Sequence, residues 1–131
     1  MRRATRTAEL AGFVHPELTD LLREVDYGAY EGLTSKQIQE ANPDWELYHE
    51  GSPGGESPAQ IYDRAQRFIE LAARIRQGRV LAFAHGHILR VVTARRLELE
   101  VAAGAHFKLE TASIGVLGHE RQTPVLERWS I

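Results

Sequence analysis

With 131 residues, 43% of them hydrophobic and 26% charged, the chain has the length and composition of one soluble globular domain. A formal net charge of −2 excludes a global basic field for nucleic acid or membrane, and the absence of cysteine excludes disulfides and thiolate metal sites. No apolar run is long enough for a membrane span or a signal segment, and a cytoplasmic location is the expectation.

Residues 2–10, Arg-Arg-Ala-Thr-Arg-Thr-Ala-Glu-Leu, read as a helix closed by Gly12. Its arginines form a solvated basic face, or one of them turns inward to grip an anion. Residues 14–22 read as an extended connection, because Pro16 breaks any helix. Residues 22–34 carry Glu24, Asp26 and Glu31 together with Tyr27 and Tyr30 and no secondary-structure period, the pattern of a loop able to carry function. Within it Asp26 and Glu31 read as scattered surface acids. Thr34 with Gln37 forms a capping box for a helix ending near Asn42 and Pro43. Trp45, Leu47 and Tyr48 suggest a further helical turn, and residues 51–57 read as a flexible lid or rim rich in turn residues.

Ser57, Pro58 and Gln60 open the best helix of the chain. Ile61, Ala65, Phe68, Ile69, Ala72 and Ile75 make its apolar stripe, with Arg64, Arg67, Glu70 and Arg74 largely off it. It is a packing helix without assigned chemistry. After Gly78 comes a short apolar run, Val-Leu-Ala-Phe-Ala, which predicts a strand buried on both faces in a parallel sheet. It ends in His85-Gly86-His87, and helical spacing resumes at Ile88. His85 is therefore expected at the carboxyl end of a central strand, before a helix N-terminus, where open α/β sheets bind ligands and where N–H groups favour an anion. A turn histidine satisfied by backbone bonds is the other reading. Residues 102–105 form a turn, and residues 113–119 and 124–129 predict an antiparallel hairpin at a sheet edge. The sheet is then short of strands, since a right-handed βαβ unit needs a strand before its helix.

Three separated stretches combine into one pattern. They are Met-Arg-Arg-Ala-Thr-Arg-Thr-Ala at residues 1–8, Leu-Arg-Glu-Val-Asp-Tyr-Gly-Ala-Tyr-Glu-Gly at residues 22–32, and Ala-His-Gly at residues 84–86 followed by Arg90. Gly-Glu-Ser at residues 55–57, ahead of a long helix, adds to them. In order and spacing they resemble the histidine phosphatase superfamily, the phosphoglycerate mutase-like or broad-specificity acid phosphatase family. The resemblance implies an α/β fold, a three-layer α/β/α sandwich of phosphoglycerate mutase-like type, with residues 1–131 forming a single incomplete domain. It assigns Arg3 to phosphate binding, Glu24 to the general acid and His85 to electrostatic stabilisation of the phosphoryl group. The backbone at Gly86 and His87 is assigned to phosphate binding from the helix N-terminus.

The family's nucleophile lies in an Arg-His-Gly stretch, and no such stretch occurs in these residues. His15, His49, His106 and His119 lie outside its motif context. The domain is accordingly expected to be N-terminally truncated, with the first strand and helix missing, and inactive alone. A fragment is favoured over a degenerate relative because Arg3, Glu24 and His85 keep the family's residue types. The implied function is phosphomonoester hydrolysis through a phosphohistidine, acting on a small-molecule phosphate ester. A phosphoglycerate mutase-type phosphotransferase and a noncatalytic phosphate-binding module are the alternatives. A metal hydrolase built on His85 and His87 is disfavoured, as no carboxylate follows at ligand spacing. No metal or cofactor is called for, no nucleic acid or membrane partner is expected, and an exposed sheet edge could pair copies of the chain into a homo-oligomer.

Overall fold

The structure is a computed structural model and describes residues 2–75 and 78–131. Met1, which stands at the head of the first motif, lies outside the described residues. Helix α1 spans Arg2–Leu10. It closes as expected on Gly12, whose φ of +92° suits a residue without Cβ, with Gly12 N–H donating to Glu9 O and Phe13 N–H to Ala8 O. The connection to the next segment ends in a 3₁₀ turn, Asp20–Leu22, capped by Thr19. A second 3₁₀ turn, Gly28–Tyr30, lies inside the predicted loop.

Helix α2, Ser35–Ala41, carries the expected Thr34–Gln37 capping box and ends at Asn42. Helix α3, Leu47–Glu50, is the predicted extra turn, with Leu47 and Tyr48 buried. Helix α4, Pro58–Ala73, has the Ser57–Gln60 capping box with Pro58 in its first turn. Its stripe is buried only at its start. Ile61 and Ala65 are fully enclosed, whereas Ile75, just past the helix end, is 53% exposed. Helix α5, Gly86–Arg96, packs along α4 and buries Ile88, Val91 and Val92 in the same cluster as Leu22, Val25, Ile38, Trp45 and Leu47.

Two expectations are corrected. Residues 51–57 are not a lid. Ala29 N–H donates to Pro53 O at 2.8 Å, Trp45 Nε1 donates to Gly51 O at 2.8 Å, and Glu56 N–H donates to Asp26 O at 3.0 Å, so the loop is stitched to its neighbours. Arg64, read as lying off the packing stripe, is 5% exposed. Its guanidinium bonds both oxygens of Glu56 at 2.8 Å and donates to the carbonyls of Leu21 and Arg23 at 2.9 and 2.8 Å. Helical periodicity measured the apolar stripe correctly but could not reveal that the next position faces a buried carboxylate.

The sheet departs furthest from expectation. Strands β1, Val116–Glu120, and β2, Thr123–Arg128, form the predicted antiparallel hairpin. They are the whole of the sheet among the described residues. The apolar run at residues 80–84 is not a buried central strand: it joins no ladder, and Val80 and Leu81 are 45% and 54% exposed. A strand exists only through its partners, and a run of residues with strand character cannot supply them itself. The three-layer sandwich is therefore not formed among the described residues, which give helices packed together beside a small two-stranded sheet. Among the described residues no helix is long and apolar enough to cross a membrane.

Candidate active site

The N-terminus of α5 organises the site. His85 is the residue before the helix, in extended conformation, and Gly86 begins it. The first turn's N–H groups have no partner within the helix and need an acceptor. Glu24, at the edge of the Asp20–Leu22 turn, supplies it. Its Oε1 accepts from Ile88 N–H at 3.0 Å and from its neighbour Val25 N–H at 3.0 Å, while Oε2 accepts from His87 N–H at 3.3 Å. Residues remote in sequence thus meet at one helix end, where the dipole favours negative charge. The backbone N–H of His87, assigned to phosphate by sequence, is here occupied by the Glu24 carboxylate.

His85 is partly buried, and burial pushes its imidazole below the ordinary range, opposed by the charge of Glu24 and reinforced by Arg3. Ala4 and Thr5, which follow Arg3 in α1, line the same cavity as His85. The structure brings Glu24 and His85 together at the start of α5, with the turn of α1 that carries Arg3 beside that cavity. Gly86 has open space where a Cβ would stand, so close approach of a ligand to the backbone is unobstructed.

His87 takes another part. Its Nδ1 is hydrogen-bonded to the Tyr27 hydroxyl, and its ring meets Tyr27 and Tyr48 edge-on, with centroids 5.7 and 6.0 Å away. Burial lowers its pKa, against the pull of Glu24. Burial likewise raises the hydroxyls of both tyrosines, the charge of Glu24 adding to the effect. These phenols remain neutral donors at any ordinary pH. Arg90 lies over the Tyr48 ring at 5.4 Å and donates to the carbonyls of Gly104 and Ala105 at 3.0 and 2.7 Å, so it ties α5 to the 3₁₀ segment Val101–His106. Sequence reasoning missed the part played by Tyr27. Tyr27 sits in a segment without period, and the only signal for it is its place three residues after Glu24.

Of the other histidines, His15 lines the cavity that His85 also reaches. His49 lies 3.9 Å from Glu46, and His119 is bonded to Arg96. Among the described residues no group of three or more histidine and acidic side chains is placed to hold a metal ion.

Comparison with known proteins shows the family. An acid phosphatase of Mycobacterium tuberculosis is 48% identical over 129 residues, which are 95% of this chain and 64% of that protein. The chain thus spans less than two thirds of that relative's length. The solved structure of a Mycobacterium tuberculosis open reading frame product superposes with a TM-score of 0.95 at 45% identity, over 99% of this chain and 68% of that one. A mycobacterial glucosyl-3-phosphoglycerate phosphatase superposes with a TM-score of 0.75 at 27% identity, over 97% of this chain and 69% of that one. The profile of the histidine phosphatase superfamily (branch 1) matches residues 1–131, the full length of the sequence given, and the chain belongs to that superfamily.

Proposed function

We propose that this chain carries the phosphate-binding and proton-donating part of a phosphomonoester hydrolase site, and that by itself it binds phosphate esters without appreciable turnover. The observation that carries the reading is the meeting of the Glu24 carboxylate with the N-terminal end of α5 beside His85, and the cavity shared by His85 with Ala4 and Thr5 next to Arg3 supports a part for Arg3. Each group has a fitting task. Arg3 offers a planar fork for two phosphate oxygens. His85 adds a donor that gains charge when an anion arrives. Glu24 is the acid for the leaving oxygen. Its Oε1 is held by two N–H groups and its Oε2 by a single longer bond, so Oε2 is the oxygen free to carry a proton.

Turnover needs a nucleophile, and this reading assigns that task to none of the described residues. His87 is bonded to Tyr27, and no Arg-His-Gly stretch is present. With the two half-reactions of covalent catalysis unavailable, binding and an acid remain.

The purified chain should therefore bind inorganic phosphate saturably, and Arg3→Ala should weaken binding by about tenfold or more, the scale of one charge-assisted bond. Aryl phosphate hydrolysis should stay at the buffer rate. Absence of phosphate binding would refute the assignment of the site, and hydrolysis abolished by His85→Ala would refute the claim of inactivity. The pairing of an acid phosphatase with a glucosyl-3-phosphoglycerate phosphatase among its relatives supports a small-molecule phosphate ester as ligand.

A further inference from the structure

A separate cavity of about 220 Å³ is lined by residues of α2, α3, α5 and the 3₁₀ segment Val101–His106, together with Trp45 and Glu46. No residue of α1, of the connection after it or of residues 78–84 lines it, and neither Glu24 nor His85 does. Its volume is below that of a site for a drug-sized ligand, so it suits a small molecule.

Three of its donors are spare. Tyr48 is 3% exposed, yet its hydroxyl has no hydrogen-bond partner among the described residues, although buried polar groups are nearly always satisfied. Arg90 commits Nε and Nη2 to the Gly104 and Ala105 carbonyls, forms no ion pair among the described residues and leaves Nη1 unused. The Tyr27 hydroxyl finds no acceptor among the described residues other than His87 Nδ1. It donates there, and the ring proton stands on Nε2, which bonds no described residue. Two acceptors complement these donors. Glu46 gives Oε2 to Tyr48 N–H at 3.0 Å, and Gln39 gives its amide nitrogen to Trp45 O at 3.2 Å, which leaves one oxygen of each.

Charge and geometry select the occupant. Arg90 and Glu46 line the cavity with opposite signs, which disfavours a ligand of net charge. An ionic ligand group binds best through paired bonds to one partner, whereas each charged side chain here has a single atom to give. Hydroxyl groups both donate and accept, and so match single donors and acceptors set around one space. Trp45 and Tyr48 add apolar ring surface for the C–H groups between them.

We propose that this cavity binds a small neutral polyol of the size of a simple sugar, with Tyr48, Arg90 and His87 as donors and Glu46 and Gln39 as acceptors. The test is titration of the purified chain with glucose, followed by NMR of the Trp45 indole N–H, which donates to Gly51 O. Glucose shifts that resonance saturably. Cyclohexanol, with a similar ring and a single hydroxyl, and the zwitterion alanine bind about tenfold or more weaker. Tyr48→Phe removes an unsatisfied hydroxyl, so it raises the Tm of the free chain while weakening glucose by about tenfold. Gln39→Ala, at an exposed helical position, weakens glucose by about threefold or more and decides the matter if Tyr48→Phe does not fold. A lower Tm for Tyr48→Phe with unchanged glucose affinity would overturn the proposal, as would equal binding of glucose and cyclohexanol. Glucose binding lost on Arg3→Ala, or displaced by saturating inorganic phosphate, would put the sugar in the phosphate site and overturn it too. Glucose binding without phosphate binding would support it and refute only the phosphate assignment.

Discussion

Arg64 and Glu56 show what a single residue pair contributes and how little of it the sequence reveals. Their side chains are 6% and 12% exposed, and the bidentate pair is completed by carbonyls of Leu21 and Arg23. A buried pair is weak evidence for net stabilisation, but removing one member strands the other in a desolvated site. Arg64→Ala should therefore cost about 3–5 kcal/mol in urea denaturation, and Arg64→Met, which keeps the stem, should still lose most of that. Burial alone would raise the Glu56 carboxyl; the bonds from Arg64 and from Asp26 N–H outweigh it and hold the carboxyl below its ordinary value of 4.5. A depressed folded-state pKa means stability that is present above 4.5 and lost as the pH falls below it. Glu56→Gln should flatten that acid limb.

The sign is the same for His85. Its folded pKa lies below 6.5, so it is held neutral near pH 7, and the folded state loses stability as the pH falls through 6.5. A bound anion reverses the preference, since it favours the imidazolium. Sulfate, which stays a dianion throughout, should bind more tightly below pH 6.5 than above it, and His85→Gln should remove that dependence. Calorimetry at several pH values would show it, and pH-independent sulfate affinity would separate His85 from the anion site. Arg3, Glu24 and His85 could be named as candidates because motif spacing keeps them in order along the chain. The contact of Glu24 with the His87 and Ile88 N–H groups was not legible, because it joins positions more than sixty residues apart.

At the scale of elements, the helix starts were the most readable features. A cap is a local event. Thr34 with Gln37, and Ser57 with Gln60, bond groups three residues apart, and both boxes stand where the sequence put them. That the loop at residues 51–57 is stitched to its neighbours was not legible, for the opposite reason. Gly, Pro and Ser declare a turn, but what pins a turn comes from elsewhere. Here it is the Gly28–Tyr30 turn, whose Gly28 has φ +49° and whose Cβ, if present, would stand 2.3 Å from both Pro53 O and Gly55 N. Gly28→Ala should destabilise by about 1–3 kcal/mol or more through overpacking against backbone. Gly54→Ala, also at positive φ but facing open space, should cost only the conformational penalty of about 1–2 kcal/mol. Equal effects at the two sites in thermal denaturation would mean that the loops are not locked together.

At the scale of the molecule, the departure from the expected sandwich has one cause. Helices close their hydrogen bonds within themselves and so formed wherever the pattern called for them, whereas a sheet is a set of pairings, and the run at residues 80–84 has none among the described residues. The pairing that does form is the most local available, β1 to β2 across a turn. A two-stranded hairpin is marginal alone and needs something to rest on. Apart from the exposed bond of His119 to Arg96 at the far end of α5, its support is narrow. Trp129 packs edge-on against Phe107 at 5.7 Å, donates from Nε1 to Lys108 O, and fills the space over Gly115; Ile114 and Ile131 exchange backbone bonds beside it. The α4–α5 core with Ile61, Ile88 and Val91 uses none of these residues. Opening of the hairpin should therefore be independent of the core. Trp129→Ala should raise amide exchange throughout Val116–Glu120 and Thr123–Arg128 by about tenfold or more while leaving Ile88–Val92 amides protected as in the parent chain. Loss of protection in α5 to the same degree would show instead that the hairpin and the helices open as one cooperative unit, and that the site at the α5 N-terminus depends on a sheet it never touches.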